Sequence, residues 1–178
     1  MTTIQGYTKA GMDAIIATLA TQSALTSGLA GKADASTVTS LSTNVDRMGY
    51  IASGVMTSDG TAITSSTETD TGLTTGSFNV ISGRRYKIEV FANILGSVAN
   101  NIAALRLTNS SNTVLAQSAV TCTNTTYGIG TSMLYTFVAG SSASVTYKLR
   151  GALVVGSGNI KVTAGPTYPA TILVTDIT

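Results

Sequence analysis

The chain has 178 residues, 43% of them apolar and only 10% charged, with ten Lys and Arg against eight Asp and Glu for a formal net charge of +2. This excludes a disordered chain, which needs low hydrophobicity and high net charge, and it leaves no basic footprint for a nucleic acid. With no His and a single Cys, a Ser-His-Asp or Cys-His mechanism, an intrachain disulfide and a Cys-type zinc site are excluded within this chain, and no cofactor or metal is expected.

The first residues, MTTIQGYTKAG, lack a basic n-region, and Asp13 interrupts the approach to the apolar run AIIATLA, so no signal peptide is expected. No stretch approaches ~18 apolar residues, so no membrane-spanning helix is expected. Met12, Ile15, Ile16 and Leu19 recur at helical spacing, with Thr8 as a cap. The Ser/Thr/Gly-rich stretch TQSALTSGLAGKAD should fray that helix. Asp34 or Ser36 then caps a second helix, in which Val38, Leu41, Val45 and Met48 follow a two-heptad a/d pattern, and Gly49 supplies the stop. Such a helix either packs on its own domain or forms a seam between identical chains. The outward residues Thr37, Thr39, Ser40, Ser42, Thr43 and Asn44 are poor helix formers, which favours the seam.

Beyond Met48–Ser58 the pattern changes to alternation and turns. In GRRYKIEVFANILG, Tyr86, Ile88, Val90, Ala92 and Ile94 should face one way, and Arg85, Lys87, Glu89 and Phe91 the other. AALRLTNSSNTVLAQ reads as a hairpin turning at Asn109–Asn112. In SASVTYKLRGALVV, Val145, Tyr147, Leu149 and Leu153 should face inward and Lys148 and Arg150 outward. A turn at Gly156–Asn159 leads to IKVTA, and Pro166 and Pro169 bracket a loop before TILVTDI. About eight strands at this spacing suggest a sandwich. The fold expected is mainly β: an N-terminal helical arm (1–33), a short coiled-coil helix (34–49) and a jelly-roll-like β-sandwich (50–178).

Several groups have chemical potential. Glu68-Thr69-Asp70, with Asp59-Gly60 upstream, is oxygen-rich but matches no EF-hand spacing, so a solvated loop is expected. Arg84-Arg85 with Lys87 reads as a solvated sheet face. Tyr50, Tyr127, Tyr135, Tyr147 and Tyr168 are candidates for stacking on sugars, but Tyr147 and Tyr135 fall on core faces, and no glycan site is assigned. Cys122 should be a buried strand residue. A glycoside hydrolase needs two carboxylates across a cleft, and the strand pattern pairs none of Asp59, Glu68, Asp70, Glu89 and Asp176. No enzyme is expected.

Three segments resemble parts of virion proteins. In QGYTKAGMDAII, Tyr7, Thr8, Lys9, Asp13 and Ile16 resemble a short unit of fibre proteins of tailed bacteriophages, with Gly11 where a helix former is usual. LAGKADAS (29–36) resembles the linkers before their coiled coils, and TYPATILVTDIT resembles the last strand of small virion β domains of actinobacterial phages. The resemblance implies a homotrimeric structural protein on the virion surface, a capsid decoration or head-fibre protein. Its arm would dock on the major capsid protein or another virion protein through Ile4, Tyr7, Met12, Ile15, Ile16 and Leu19, and Val38, Leu41, Val45 and Met48 would form the oligomer seam. The alternative is a receptor-binding tail fibre or minor tail protein whose knob binds a host-surface glycan. A pilus or spore-coat subunit is a weaker fourth reading.

Overall fold

The computed structural model describes residues 49–178. Their regular structure is all β, in eleven strands: β1 Gly49–Met56, β2 Thr69–Thr74, β3 Phe78–Val80, β4 Arg85–Gly96, β5 Asn101–Asn109, β6 Val114–Cys122, β7 Ile129–Val138, β8 Ala143–Val145, β9 Tyr147–Val155, β10 Ile160–Thr163 and β11 Ala170–Asp176. The expected fold class is therefore corrected to all-β, because the described residues contain no helix. The arm and coil residues, Ile4, Tyr7, Met12, Ile15, Ile16 and Leu19 with Val38, Leu41, Val45 and Met48, lie outside the described residues. Gly49 was expected to stop a helix. It opens β1, at φ 103°, opposite Asp176, and the helix it was expected to stop lies outside the described residues. A left-handed glycine serves the start of a strand as readily as the end of a helix.

The first sheet runs β1-β11-β4-β7, all antiparallel, with β10 paired to the last residues of β4 beyond the end of β11. The second runs β2-β9-β5-β6, and β3 and β8 form a small ribbon. Setting aside the short β3, β8 and β10, the eight principal strands are ordered 1-8-3-6 and 2-7-4-5, the double Greek key of a jelly roll. The β5–β6 hairpin joins neighbours within one sheet, whereas the other principal links cross between sheets.

Alternation builds the core. Tyr86, Ile88, Val90 and Ile94 of β4 are fully buried, and they meet Leu105 and Leu107 of β5, Leu149 of β9 and Ile172 and Val174 of β11 in one cluster. Each large apolar side chain so buried contributes roughly 1.5–3 kcal/mol. Aromatic rings close one end. Phe137 stacks on Tyr86 at 5.4 Å and Tyr135 at 5.8 Å, and meets Tyr147 edge-on at 6.1 Å.

Polar residues fix the ends of the sandwich. Arg84, read from sequence as part of a solvated face, is buried, with Nε 2.6 Å from Asp176 Oδ2. The pair ties the start of β4 to the end of β11. Asn101 is fully buried: its amide donates to the carbonyls of Ser157 (2.8 Å) and Asn159 (3.2 Å) and accepts from Ser157 N (3.1 Å), which organises the β9–β10 turn.

Candidate functional site

The two sheets present different outer faces. On the second, Asp70, Arg150, Arg106 and Gln117 lie in one cross-strand row. Arg150 donates from Nε to Asp70 Oδ1 (2.9 Å), from Nη1 to Glu68 Oε2 (3.2 Å) and from Nη2 to the Glu68 carbonyl (2.9 Å). Arg106 pairs with the other Glu68 oxygen, and Lys148 Nζ reaches Asp70 at 3.4 Å. The acidic cluster expected in a solvated loop is thus half of an ion-pair ladder. Its cations come from β5 and β9, so the local sequence does not reveal them.

The outer face of the first sheet is less polar. Cross-strand rows place Val55, Thr171, Phe91 and Ser132 side by side, then Ser53, Leu173, Glu89 and Leu134, then Tyr50, Thr175, Lys87 and Thr136, with Val138 opposite Arg85. Tyr50, Val55, Phe91, Leu134 and Val138 are all exposed, Leu134 at 62%. Single exposed apolar side chains are ordinary, whereas a set gathered on one sheet face marks a surface that is covered in use. The Lys87–Glu89 pair (2.9 Å) interrupts it.

Beyond Phe91, where β10 replaces β11 alongside β4, a cleft of about 470 Å³ opens, lined by Asp59, Asn93, Thr126, Tyr127, Thr163 and Tyr168. Tyr127 is 75% and Tyr168 55% exposed. Both are held by their loops. The Asn124 side-chain oxygen accepts from the N–H groups of Thr126 (3.0 Å) and Tyr127 (2.7 Å), an Asx turn. Gly128 follows, because a Cβ there would lie 2.7 Å from Thr163 Oγ1 and 3.0 Å from Asn93 Cβ. The Tyr168 ring covers Gly165: a Cβ on that glycine would meet ring atoms at 2.8–2.9 Å. On the cleft wall Asp59 accepts from Lys161 Nζ (2.5 Å) and from Ala164 N (3.2 Å). The lysine hydrogen bond, then the backbone one, holds its carboxyl below the usual range.

Of the five tyrosines singled out in the sequence, the fold brings Tyr127 and Tyr168 together at the cleft. Tyr147 is buried and Tyr135 half-buried in the aromatic cluster, and Tyr50 lies on the first sheet's outer face. Cys122 is buried beneath β4, and desolvation pushes its thiol pKa up. Every carboxylate among the described residues sits in an ion pair: Asp59 with Lys161, Glu68 with Arg106 and Arg150, Asp70 with Arg150 and Lys148, Glu89 with Lys87, and Asp176 with Arg84. Among the described residues no group of three or more His, Cys, Asp or Glu could hold a metal ion.

No protein family matches the chain, and no curated protein matches it, so no sequence relative supports a phage identity. Solved structures with a partial likeness to this chain include carbohydrate-binding and viral capsid proteins, at TM-scores below 0.5. The carbohydrate-binding module CBM6cm-2 of Cellvibrio mixtus lichenase 5A, solved with cellotriose, is 17% identical (TM-score 0.38), and the match covers 72% of this chain and 99% of that one. The C-terminal domain of EclA, a sugar-binding protein, is 8% identical (TM-score 0.36, 72% and 69% covered). VP2 of infectious bursal disease virus, from a subviral particle, is 15% identical (TM-score 0.33), with 71% of this chain but only 36% of that chain covered.

Proposed function

We propose that this chain is a non-catalytic structural protein of a virion surface, displayed as a homotrimer, in the manner of a capsid decoration or head-fibre protein. The observation that carries self-association is the contrast between the two outer faces. The second sheet neutralises its own charges in the Glu68–Asp70–Arg106–Arg150 ladder, and its exposed valines, Val114, Val154 and Val155, sit at strand ends away from it. The first leaves Tyr50, Val55, Phe91, Leu134 and Val138 bare and suits contact with copies of itself. A non-catalytic role is supported by the side-chain carboxylates of the described residues, each of which is paired with a cation. The virion setting and the number three rest on the resemblance of residues 7–16, 29–36 and 167–178 to phage proteins. Docking on the particle is assigned to Ile4, Tyr7, Met12, Ile15, Ile16 and Leu19, and a seam between copies to Val38, Leu41, Val45 and Met48.

Light scattering after size exclusion tests the face. The intact chain should run as a trimer, and Leu134→Arg with Val138→Glu should lower its mass while leaving the sandwich folded. A double variant that stays trimeric removes the face from the assembly. Deleting residues 1–33 should abolish binding to particles while trimers remain, and unchanged particle binding would refute the docking role. Hundreds of copies per particle would fit capsid decoration, whereas a handful would point to the tail.

A further inference from the structure

The chain enters the sandwich at Gly49, which pairs with Asp176 at the Tyr86 end of β4. The cleft lies at the other end, where Asn93–Gly96 pair with β10. It therefore opens at the end of β4 away from Gly49.

Its construction suits a small polar ligand with an apolar face. Tyr168 has its ring against Gly165 while much of the side chain stays in solvent, and Tyr127 sits at the end of an Asx turn. Two exposed aromatic side chains on the cleft wall offer stacking surface, and the Asx turn at Tyr127 and the paired backbone of Gly165 and Tyr168 order their loops beforehand. Hydrogen-bonding groups lie between them. The Asn93 carboxamide makes no hydrogen bond within the described residues and supplies a donor and an acceptor. The Asp59 carboxylate, fixed by Lys161 and Ala164, keeps lone pairs for hydroxyl donors. The volume, about 470 Å³, falls within the ~300–1,000 Å³ usual for small-ligand sites. The charge is balanced, because Lys161 faces Asp59, so no net cation invites a phosphate or carboxylate. A pyranose ring, with axial C–H groups on its faces and hydroxyls around its rim, matches this layout.

We propose that the cleft between Tyr127 and Tyr168 binds a neutral pyranoside unit of a glycan, stacked on the tyrosines and hydrogen-bonded at its rim by Asn93 and Asp59. The site goes beyond the display role and does not depend on the oligomeric state. The full chain is to be titrated by saturation-transfer NMR and calorimetry with maltotriose, cellotriose, α-1,6-mannotriose, lactose, N,N′,N″-triacetylchitotriose and methyl α-L-rhamnopyranoside, and with trigalacturonate as the anionic counterpart. At least one neutral probe should bind in the micromolar to millimolar range. Tyr127→Ala and Tyr168→Ala should each weaken it about tenfold or more, roughly 1.4 kcal/mol. Tyr168→Phe should retain most of the affinity, which separates loss of the ring from a misfolded loop, and Gln117→Ala, outside the cleft on the second sheet, should leave binding unchanged. Failure of every neutral probe to bind, binding of trigalacturonate alone, or affinity that survives Tyr127→Ala and Tyr168→Ala together would each overturn the site. None of these results bears on whether the chain forms a trimer.

Discussion

Gly54, on the buried side of β1, shows how much can rest on one missing Cβ. A side chain there would run into the Thr74 carbonyl and the backbone of Thr75, and backbone cannot swing aside as a flexible side chain does. Gly54→Ala should therefore destabilise the fold by about 3 kcal/mol, read as a fall in the urea midpoint. Tyr147 makes a different kind of test. Burial, reinforced by Tyr135 and Tyr86, pushes its phenol up to about 12 from an ordinary 10. The folded chain keeps that proton after the unfolded chain has released it. Stability is thus complete below pH 10 and is lost as the pH rises from there toward 12, at up to about 1.4 kcal/mol per pH unit. Tyr147→Phe should flatten the alkaline limb of a stability–pH curve, and an unchanged limb would mean the phenol titrates normally. The sequence made Tyr147 legible as buried because alternation assigns it a face, and Cys122 because a free thiol is usually buried. It could not show that Arg84 is buried, since its carboxylate, Asp176, lies at the far end of the chain.

At the scale of the element, legibility follows side-chain size. β4, β5 and β9 are readable because apolar residues alternate with charged or small polar ones, and the burial of β4 reproduces that alternation; β6 was legible through the turn that precedes it. β1 and β2, GYIASGVM and TDTGLT, are built largely of Gly, Ser, Thr and Ala. Their periodicity is faint, and a bulge between Tyr50 and Ala52 shifts the register of β1. The ion ladder was equally hidden, for it joins β2, β5 and β9, which are neighbours only once the sheet has formed. Glu68 bridges two guanidinium groups there, so its removal strips Arg106 of this partner and leaves Arg150 with Asp70 as its remaining carboxylate. Glu68→Ala should cost about 1–2 kcal/mol, more than a lone surface pair, and the cost should shrink at high salt. A loss independent of salt would show that packing, not charge, holds β2 to β9.

For the whole molecule, residues 49–178 enclose their own core between two sheets. A chain beginning at Arg47 should unfold in a single cooperative step, with near- and far-ultraviolet circular dichroism changing together. Transitions that separate would mean that the sandwich depends on the preceding residues for its packing. Sandwich class was within reach of the sequence, since many short strands between turns admit few architectures. The cleft was not, because Asp59, Asn93, Tyr127, Thr163 and Tyr168 come from five separate segments and converge only through the crossing connections. Those connections also bring β1 and β11 together, so that Gly49 and Asp176 are cross-strand partners. Joining these neighbouring strands through a short linker and reopening the backbone in the Gly156–Asn159 turn should therefore give a permuted sandwich with the same core, its new termini at the Gly96 end of β4 instead of beside the Arg84–Asp176 pair.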